Sequence, residues 1–129
     1  MRAQVDAARV ARFATVTSEG RPHIVPCCFV RDGDTIWSAV DAKPKTTLAL
    51  RRLGNLNLHP QVSLLIDHYE EDWDRLWWVR IDGAALVLSD ADERERALDA
   101  LATKYPQYVA RRPPGQVIAI TITAWRSWP

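Results

Sequence analysis

The chain has 129 residues, the size of one domain, and its 47% hydrophobic and 26% charged composition supplies one core without staples. Seventeen basic residues against sixteen acidic ones leave a net charge of +1, which excludes a whole-surface electrostatic partner such as duplex nucleic acid. No apolar run approaches the roughly 18 residues of a membrane span, and the charged stretch Met1 to Arg12 lacks the core of a signal peptide.

Residues 2–12 predict a short helix, with Val5, Ala8 and Ala11 or Arg12 on neighbouring turns. Residues 13–18 predict a strand, Glu19-Gly20 a turn and 22–30 a second strand. Within that second strand stand the only two cysteines, Cys27 and Cys28. Adjacent strand residues point to opposite faces, so the two are poorly placed to bond each other. A reducing cytoplasm fits this usage, and neither a disulfide scaffold nor a zinc site can be built. Asp32-Gly33 is a hairpin signal and 34–40 returns as a third strand. Lys43 to Leu53 has helical composition and stops at Gly54, a residue suited to the C′ position. Residues 61–67 predict a fourth strand, 68–75 a polar loop, and 76–88 a long strand with Gly83 as a bulge or bend. Ser89 with Asp92 resembles a capping box that opens a helix with Leu98, Leu101 and Tyr105 on one stripe. After a loop over 106–115, residues 117–123 alternate as the last strand. About six strands joined by tight turns, without a βαβ rhythm, predict a mainly β fold. The expected architecture is one antiparallel barrel, closed or half-closed, with a few short helices over the single domain 1–129.

Three places can carry chemistry. The first is Lys43-Pro44-Lys45-Thr46-Thr47, at a strand-to-helix junction. A helix N-terminus offers unpaired N–H groups and partial positive charge. Two lysines there oppose the helix dipole, each by a few tenths to about 1 kcal/mol, and a bound anion reverses that sign. With Arg51 and Arg52 and no acidic residue, the stretch 43–52 carries four positive charges. A phosphate or carboxylate site and a merely solvated basic helix both satisfy this pattern.

The second place is the tryptophan set. Of six tryptophans, Trp73, Trp77, Trp78, Trp125 and Trp128 fall in two late clusters. Trp77 and Trp78 are neighbours on a strand, so at most one need be core, and the other can line a cofactor plane or a subunit interface. So much indole on a monomer is a liability, which makes a dimer the simpler reading. The third place is the acidic loop Asp67, Glu70, Glu71, Asp72 and Asp74 with His68. Its spacing is not that of a calcium loop and no second ligand cluster accompanies it, so it reads as solvated and no metal site is expected. His23, beside Pro22 on a strand, can be a haem ligand, a proton donor or a polar strand residue. No hydrolase triad, glycine-rich phosphate loop or zinc-protease motif is present, so an enzyme of this kind needs a cofactor to carry the chemistry.

The ordered run of motifs resembles the split β-barrel flavin and deazaflavin proteins related to pyridoxamine 5′-phosphate oxidase, and within them an actinobacterial subgroup of coenzyme F420-dependent enzymes. The resemblance covers nearly the whole chain. It is carried by Ala14-Thr15-Val16, by Gly20-Arg21-Pro22-His23-Ile24-Val25-Pro26, and by Ser38-Ala39-Val40-Asp41-Ala42-Lys43-Pro44-Lys45. It continues through Val62-Ser63-Leu64-Leu65-Ile66-Asp67, Arg75-Leu76-Trp77-Trp78-Val79-Arg80, Asp82-Gly83, Lys104-Tyr105-Pro106-Gln107-Tyr108 and Trp125-Arg126. The resemblance implies a cofactor phosphate held by Ser38, Lys43, Lys45 and Thr46, with Arg51 further along the helix. It implies a ring lying over His23 and Pro26, and a homodimer whose second subunit offers Trp77 or Trp78, and Trp125. The implied activity is hydride transfer between coenzyme F420 and an unsaturated or conjugated-carbonyl small molecule. Alternatives are an FMN-dependent oxidoreductase of the same fold and a non-catalytic binder of flavin, or of haem through His23. No set of basic residues for a second phosphate can be placed, which argues against oxidation of pyridoxamine phosphate itself.

Overall fold

The computed structural model describes residues 1–40, 56 and 58–129. The helix expected from Lys43 to Leu53 therefore lies outside the described residues, together with the candidate phosphate ligands Lys43, Lys45, Thr46 and Arg51.

The chain opens with α1 (Arg2–Ala7), shorter than the expected 2–12. From Ala11 the alternation of buried Ala11, Phe13 and Thr15 favours a strand, and β1 (Ala11–Val16) begins there rather than at residue 13. β2 (Pro22–Cys27) follows, and the strand expected over 22–30 is split, its end becoming β3 (Val30–Asp32). β4 (Thr35–Ala39) pairs back on β3 through the Gly33-Asp34 turn, where Gly33 takes φ +60°, a conformation that only glycine adopts without strain. β5 (Gln61–His68) and β6 (Trp77–Val87) run as expected. The following helix α2 (Ala91–Lys104) is capped one residue later than the sequence implied. Asp90, not Ser89, accepts the Asp92 N–H at 2.9 Å. A short α3 (Gln107–Ala110) leads to β7, which extends from Val117 to Trp128 and so places Trp125 and Trp128 on the strand instead of beyond it.

The seven strands form one antiparallel sheet in the order β2-β1-β5-β6-β7-β4-β3, curled about its core as a half-barrel. β2 is an edge strand, which suits Pro22 and Pro26, since neither has an N–H to give to a ladder. Phe13, Phe29, Ile36, Leu64, Ile66, Val79, Ile81, Ile118 and Ile120 fill the concave side, and Val5 seals it from α1. Burying each such side chain contributes about 1.5–3 kcal/mol. A second, smaller core lies under α2, where Leu98 and Ala97 meet Trp37, Leu88, Val117 and Ala119. Since β7 feeds both cores, residues 117–120 are buried on both faces.

The convex side is different. On β6 the outward residues are Trp78, Arg80, Asp82, Ala84 and Leu86, and only Leu88 beyond them is covered by α2. Their register neighbours on β5 are Asp67, Leu65, Ser63 and Gln61. Arg12 and Ala14 of β1 stand beside Leu65 and Ser63, and Pro26 and Ile24 of β2 beyond them. Among the described residues no helix covers this part of the face, which mixes apolar side chains with charged and polar ones across four strands.

One polar node ties the ends of β2 and α2 together. Phe29 N donates to the Tyr105 hydroxyl at 3.0 Å, and that hydroxyl faces the carbonyls of Arg9 at 2.9 Å and Phe29 at 3.0 Å. Burial pushes the Tyr105 hydroxyl above its ordinary pKa. Lys104 lies alongside, its Nζ buried and 3.9 Å from the Phe29 ring centre, with no hydrogen-bond acceptor among the described residues. Burial, and next the Arg9 guanidinium, hold the Lys104 ammonium below the usual lysine range. A lysine depressed in the fold contributes stability above its unfolded pKa of about 10.4 and loses it as pH falls through the folded value. Lys104→Met keeps the packing on Phe29 and removes the buried charge. It is expected to raise Tm at pH 7 by about 3–5 °C, or about 1 kcal/mol for a domain of this size. Melts at rising pH should show the gap to the unmodified chain narrowing towards pH 10. Above that, ionisation of Tyr105 destabilises both proteins.

Candidate functional site

The expected site residues on the described strands divide between the two faces of the sheet. His23 faces the concave side opposite Thr15, half-buried, and its Nδ1 is buried without a hydrogen-bond partner among the described residues. A ring nitrogen in that state is a position where a ligand atom can be received. Ser38 is 2% exposed, and its Oγ donates to the Cys28 carbonyl at 2.7 Å. The hydroxyl proton is thus committed to fixing the β2–β3 connection against β4. Trp125 also belongs to the concave side, half-buried against the core. The guanidinium carbons of Arg2 and Arg31 stand 4.6 and 5.7 Å from its ring centre. Arg31 is itself held by both Asp6 oxygens, at 2.9 and 2.8 Å. Trp125 therefore ties α1 and the edge strand β3 to β7 through two cation–π contacts.

Pro26 and Trp78 point the other way, onto the open convex face. Trp78 lies directly opposite Trp128 in the β6–β7 register, with Asp67 on its other flank. Trp78 and Trp128, with Trp77, Tyr69, Leu65, Leu76 and Arg80, line a groove of about 540 Å3, within the size range of small-molecule sites. Trp77 turns inward and packs on the core, and the His68 ring stacks on it with centroids 6.1 Å apart. His68 is in turn held by Glu70. Of the adjacent pair, Trp78 is therefore the one presented on the outer face.

Trp128, expected just beyond the last strand, is a member of this wall on the strand itself. The last strand was expected to end at residue 123, where Thr123 is the extra residue of a β-bulge: Asp82 pairs with Ala124 and Gly83 with Ile122. A bulge shifts the inward–outward phase by one residue, so the alternation that located the strand stops being legible there. The tryptophans beyond it were the remaining signal. Among the described residues no group of three or more His, Cys, Asp or Glu side chains is arranged to hold a metal ion, and the acidic loop 67–74 is an exposed rim of the groove.

Pro26 and Trp78 share one face but stand three strands apart, about 14 Å at the usual strand spacing. A stacking contact spans ring centroids of about 4.5–7 Å. One protomer thus offers two separate pieces of the expected ring site on the same face.

A single antiparallel sheet curled round its core, with the convex side left open beside a helix, defines a split β-barrel. The sequence model for pyridoxamine 5′-phosphate oxidase matches residues 1–129, and the chain belongs to that family. Solved structures share the fold at low sequence identity. A conserved hypothetical protein of Mycobacterium tuberculosis is 21% identical, with 98% of this chain and 80% of that one covered at a TM-score of 0.79. The haem storage protein HutZ of Vibrio cholerae is 14% identical, with 98% and 89% covered at 0.76. An FAD-binding protein of Mesorhizobium loti is 19% identical, with 98% and 89% covered at 0.71. The search of curated proteins found no match. The family and fold thus include proteins described as flavin-binding and as haem-storing.

Proposed function

We propose that the protein is a cytoplasmic oxidoreductase that holds coenzyme F420 at an interface between two copies of the chain. Its reaction would be hydride transfer between the deazaflavin and an unsaturated or conjugated-carbonyl small molecule. The observation that carries this reading is the indole pair Trp78–Trp128 on the open convex face, beside a groove of about 540 Å3 and on the same face as Pro26. The indoles lining that groove suit the apolar face of a ring system. The family, and the likeness to an FAD-binding protein, support flavin-type binding. The finer choice of F420 rests on the basic stretch 43–52, whose four positive charges suit a tail richer in carboxylates than that of FMN.

In this reading Lys43, Lys45, Thr46 and Arg51 take the anionic groups, and Pro26 bounds the ring from one protomer, whereas His23, on the opposite face of β2, does not meet the same side of it. Trp78 and Trp128 of a second copy would cover its other side. The cofactor supplies the hydride chemistry. The chain holds the donor carbon near the acceptor and keeps water away, which is where proximity gives its rate advantage. No helix among the described residues is long and apolar enough to cross a membrane. Haem is the second reading, favoured by the free side of His23 and by the likeness to a haem storage protein.

Calorimetric titration of one preparation with F420, FMN and haem tests the choice. F420 is expected to bind most tightly, and FMN binding tighter by about tenfold or more would favour the flavin alternative. Trp78→Ala is expected to weaken binding by about 1–3 kcal/mol, the range for a ring stacked on an aromatic side chain. Unchanged binding in that variant would place the ring elsewhere.

A further inference from the structure

The groove beside Trp78 carries a charge as well as an aromatic wall. Asp67, Trp78 and Trp128 stand in one cross-strand row over β5, β6 and β7. Tyr69, two residues beyond Asp67, lines the same groove and is 63% exposed. Two cations are diagonal to Asp67 in the register, Arg80 on β6 and Arg12 on β1. Arg80 turns to Asp82 instead, with Nε and Nη2 at 3.1 and 3.3 Å from its carboxylate oxygens, and Arg12 forms no ion pair with Asp67. The Asp67 carboxylate is thus left without an ion pair or hydrogen bond among the described residues. The loop that follows adds Glu70, Glu71, Asp72 and Asp74 against Arg75 alone, so the mouth of the groove is negative in a chain whose net charge is +1. Arg126, the β7 neighbour of Arg80, does not line the groove.

Elsewhere the chain covers its exposed ring faces with its own cations. Arg2 and Arg31 lie over Trp125, and Arg9 and Lys104 over Tyr105. Over Trp78, Trp128 and Tyr69 no cation stands among the described residues. A cation placed there gains twice. The ring faces attract it, the more so as water is excluded, and the carboxylate beside them acts across an apolar wall that screens less than bulk water. An anion would meet the like charge of Asp67 and the loop. An uncharged apolar molecule would strip water from Asp67 and give nothing back.

We infer that the Asp67 end of the groove binds an organic cation, a substituted ammonium or amidinium group held against Trp78 and Tyr69 with Asp67 as its counter-ion. Cation binding itself is independent of the cofactor. Its consequence for the substrate rests on the hydride-transfer reading above: the acceptor is a conjugated carbonyl compound that carries such a group, lying beside the ring along the row.

Choline and dimethylbutanol, its uncharged carbon isostere, are the probes. Each is titrated into 15N-labelled protein and followed at the indole N–H signal of Trp78, which is assigned as the one missing in Trp78→Phe. Choline should saturate the shift of that signal at a concentration lower than dimethylbutanol by about fivefold or more. In Asp67→Asn the affinity for choline should fall about threefold while that for dimethylbutanol holds. Should Asp67→Asn disturb the fold, sodium chloride raised to about 1 M on the unmodified chain serves instead, since it screens the cation and not its isostere. Equal affinities for the two probes, a Trp78 signal that choline does not move, or a preference that survives both Asp67→Asn and salt would overturn the site. None of these outcomes bears on the calorimetric titration with cofactors. A preference for choline in a chain that binds none of F420, FMN and haem would keep the cation site and overturn its part in hydride transfer.

Discussion

Gly83→Ala is expected to lose about 3–5 kcal/mol of folding stability, enough to lower Tm by about 10 °C or more. A Cβ at position 83 would lie 2.5 Å from the Thr121 carbonyl oxygen and 2.8 Å from Ile120 Cγ2. The first of these is backbone of the neighbouring strand. That strand cannot retreat easily, since Ile120 is fully buried and Thr121 and Ile120 also pair with Thr35 and Ile36 of β4. Gly83 is therefore required by close approach at the bulge and not by an unusual φ. The misfit would spread through the centre of the sheet, where the convex face takes its shape. Thermal melts of the purified variant check it. A Tm within about 3 °C of the unmodified chain would mean that β6 and β7 do not approach so closely.

Tyr105→Phe is the second large effect, with an expected loss of about 2–3 kcal/mol. The ring stays, so its contact with the Arg9 guanidinium at 5.3 Å can persist. The hydroxyl goes, and the Phe29 N–H, in a residue with no exposed surface, is left without its acceptor. The Arg9 carbonyl loses a donor at the same time. An unmade buried hydrogen bond weighs more than a made one contributes, which is why a single oxygen matters here. Tyr69→Phe is the control. Tyr69 is 63% exposed and its hydroxyl meets Glu71 at 3.3 Å in solvent, so a change within about 0.5 kcal/mol is expected. Urea melts of the two variants with equal m-values would compare them directly. Equal stabilities would remove Tyr105 from its bridging role between α2 and β2.

The strands that could be read in advance are those with one buried and one open face. β5 alternates Val62, Leu64 and Ile66 inward against Ser63 and Leu65, and the sequence carries that period plainly. An irregularity at Gly83 was legible because a glycine interrupts an otherwise long strand, but the extra residue, Thr123, stands opposite it on β7. Other features depend on groups far apart in the chain. The hydroxyl of Ser38 serves a carbonyl ten residues back, and Tyr105 grips Phe29 across 76 residues, so neither bond leaves a local pattern. The face on which each tryptophan stands depends on strand phase. Trp78 could be assigned only as opposite to Trp77, and Trp128 only after the bulge at Thr123 was located. The cap of α2 was displaced by one residue because Ser89 and Asp90 are both capable N-caps and the chain used the carboxylate. The basic segment 43–52, which a phosphate site and a solvated helix satisfied equally in the sequence, lies outside the residues the structure describes.

The most direct measurement is sedimentation velocity on the protein mixed with the best-bound cofactor, followed at the protein and cofactor absorbances together. A site shared between two copies predicts that cofactor absorbance travels entirely with a species of twice the 14.6 kDa chain mass, at one cofactor per chain. In Trp78→Ala the same cofactor should trail as free material while the protein still sediments as a dimer. Cofactor travelling with a single chain at full occupancy, or unaffected by the loss of Trp78, would contradict the shared site.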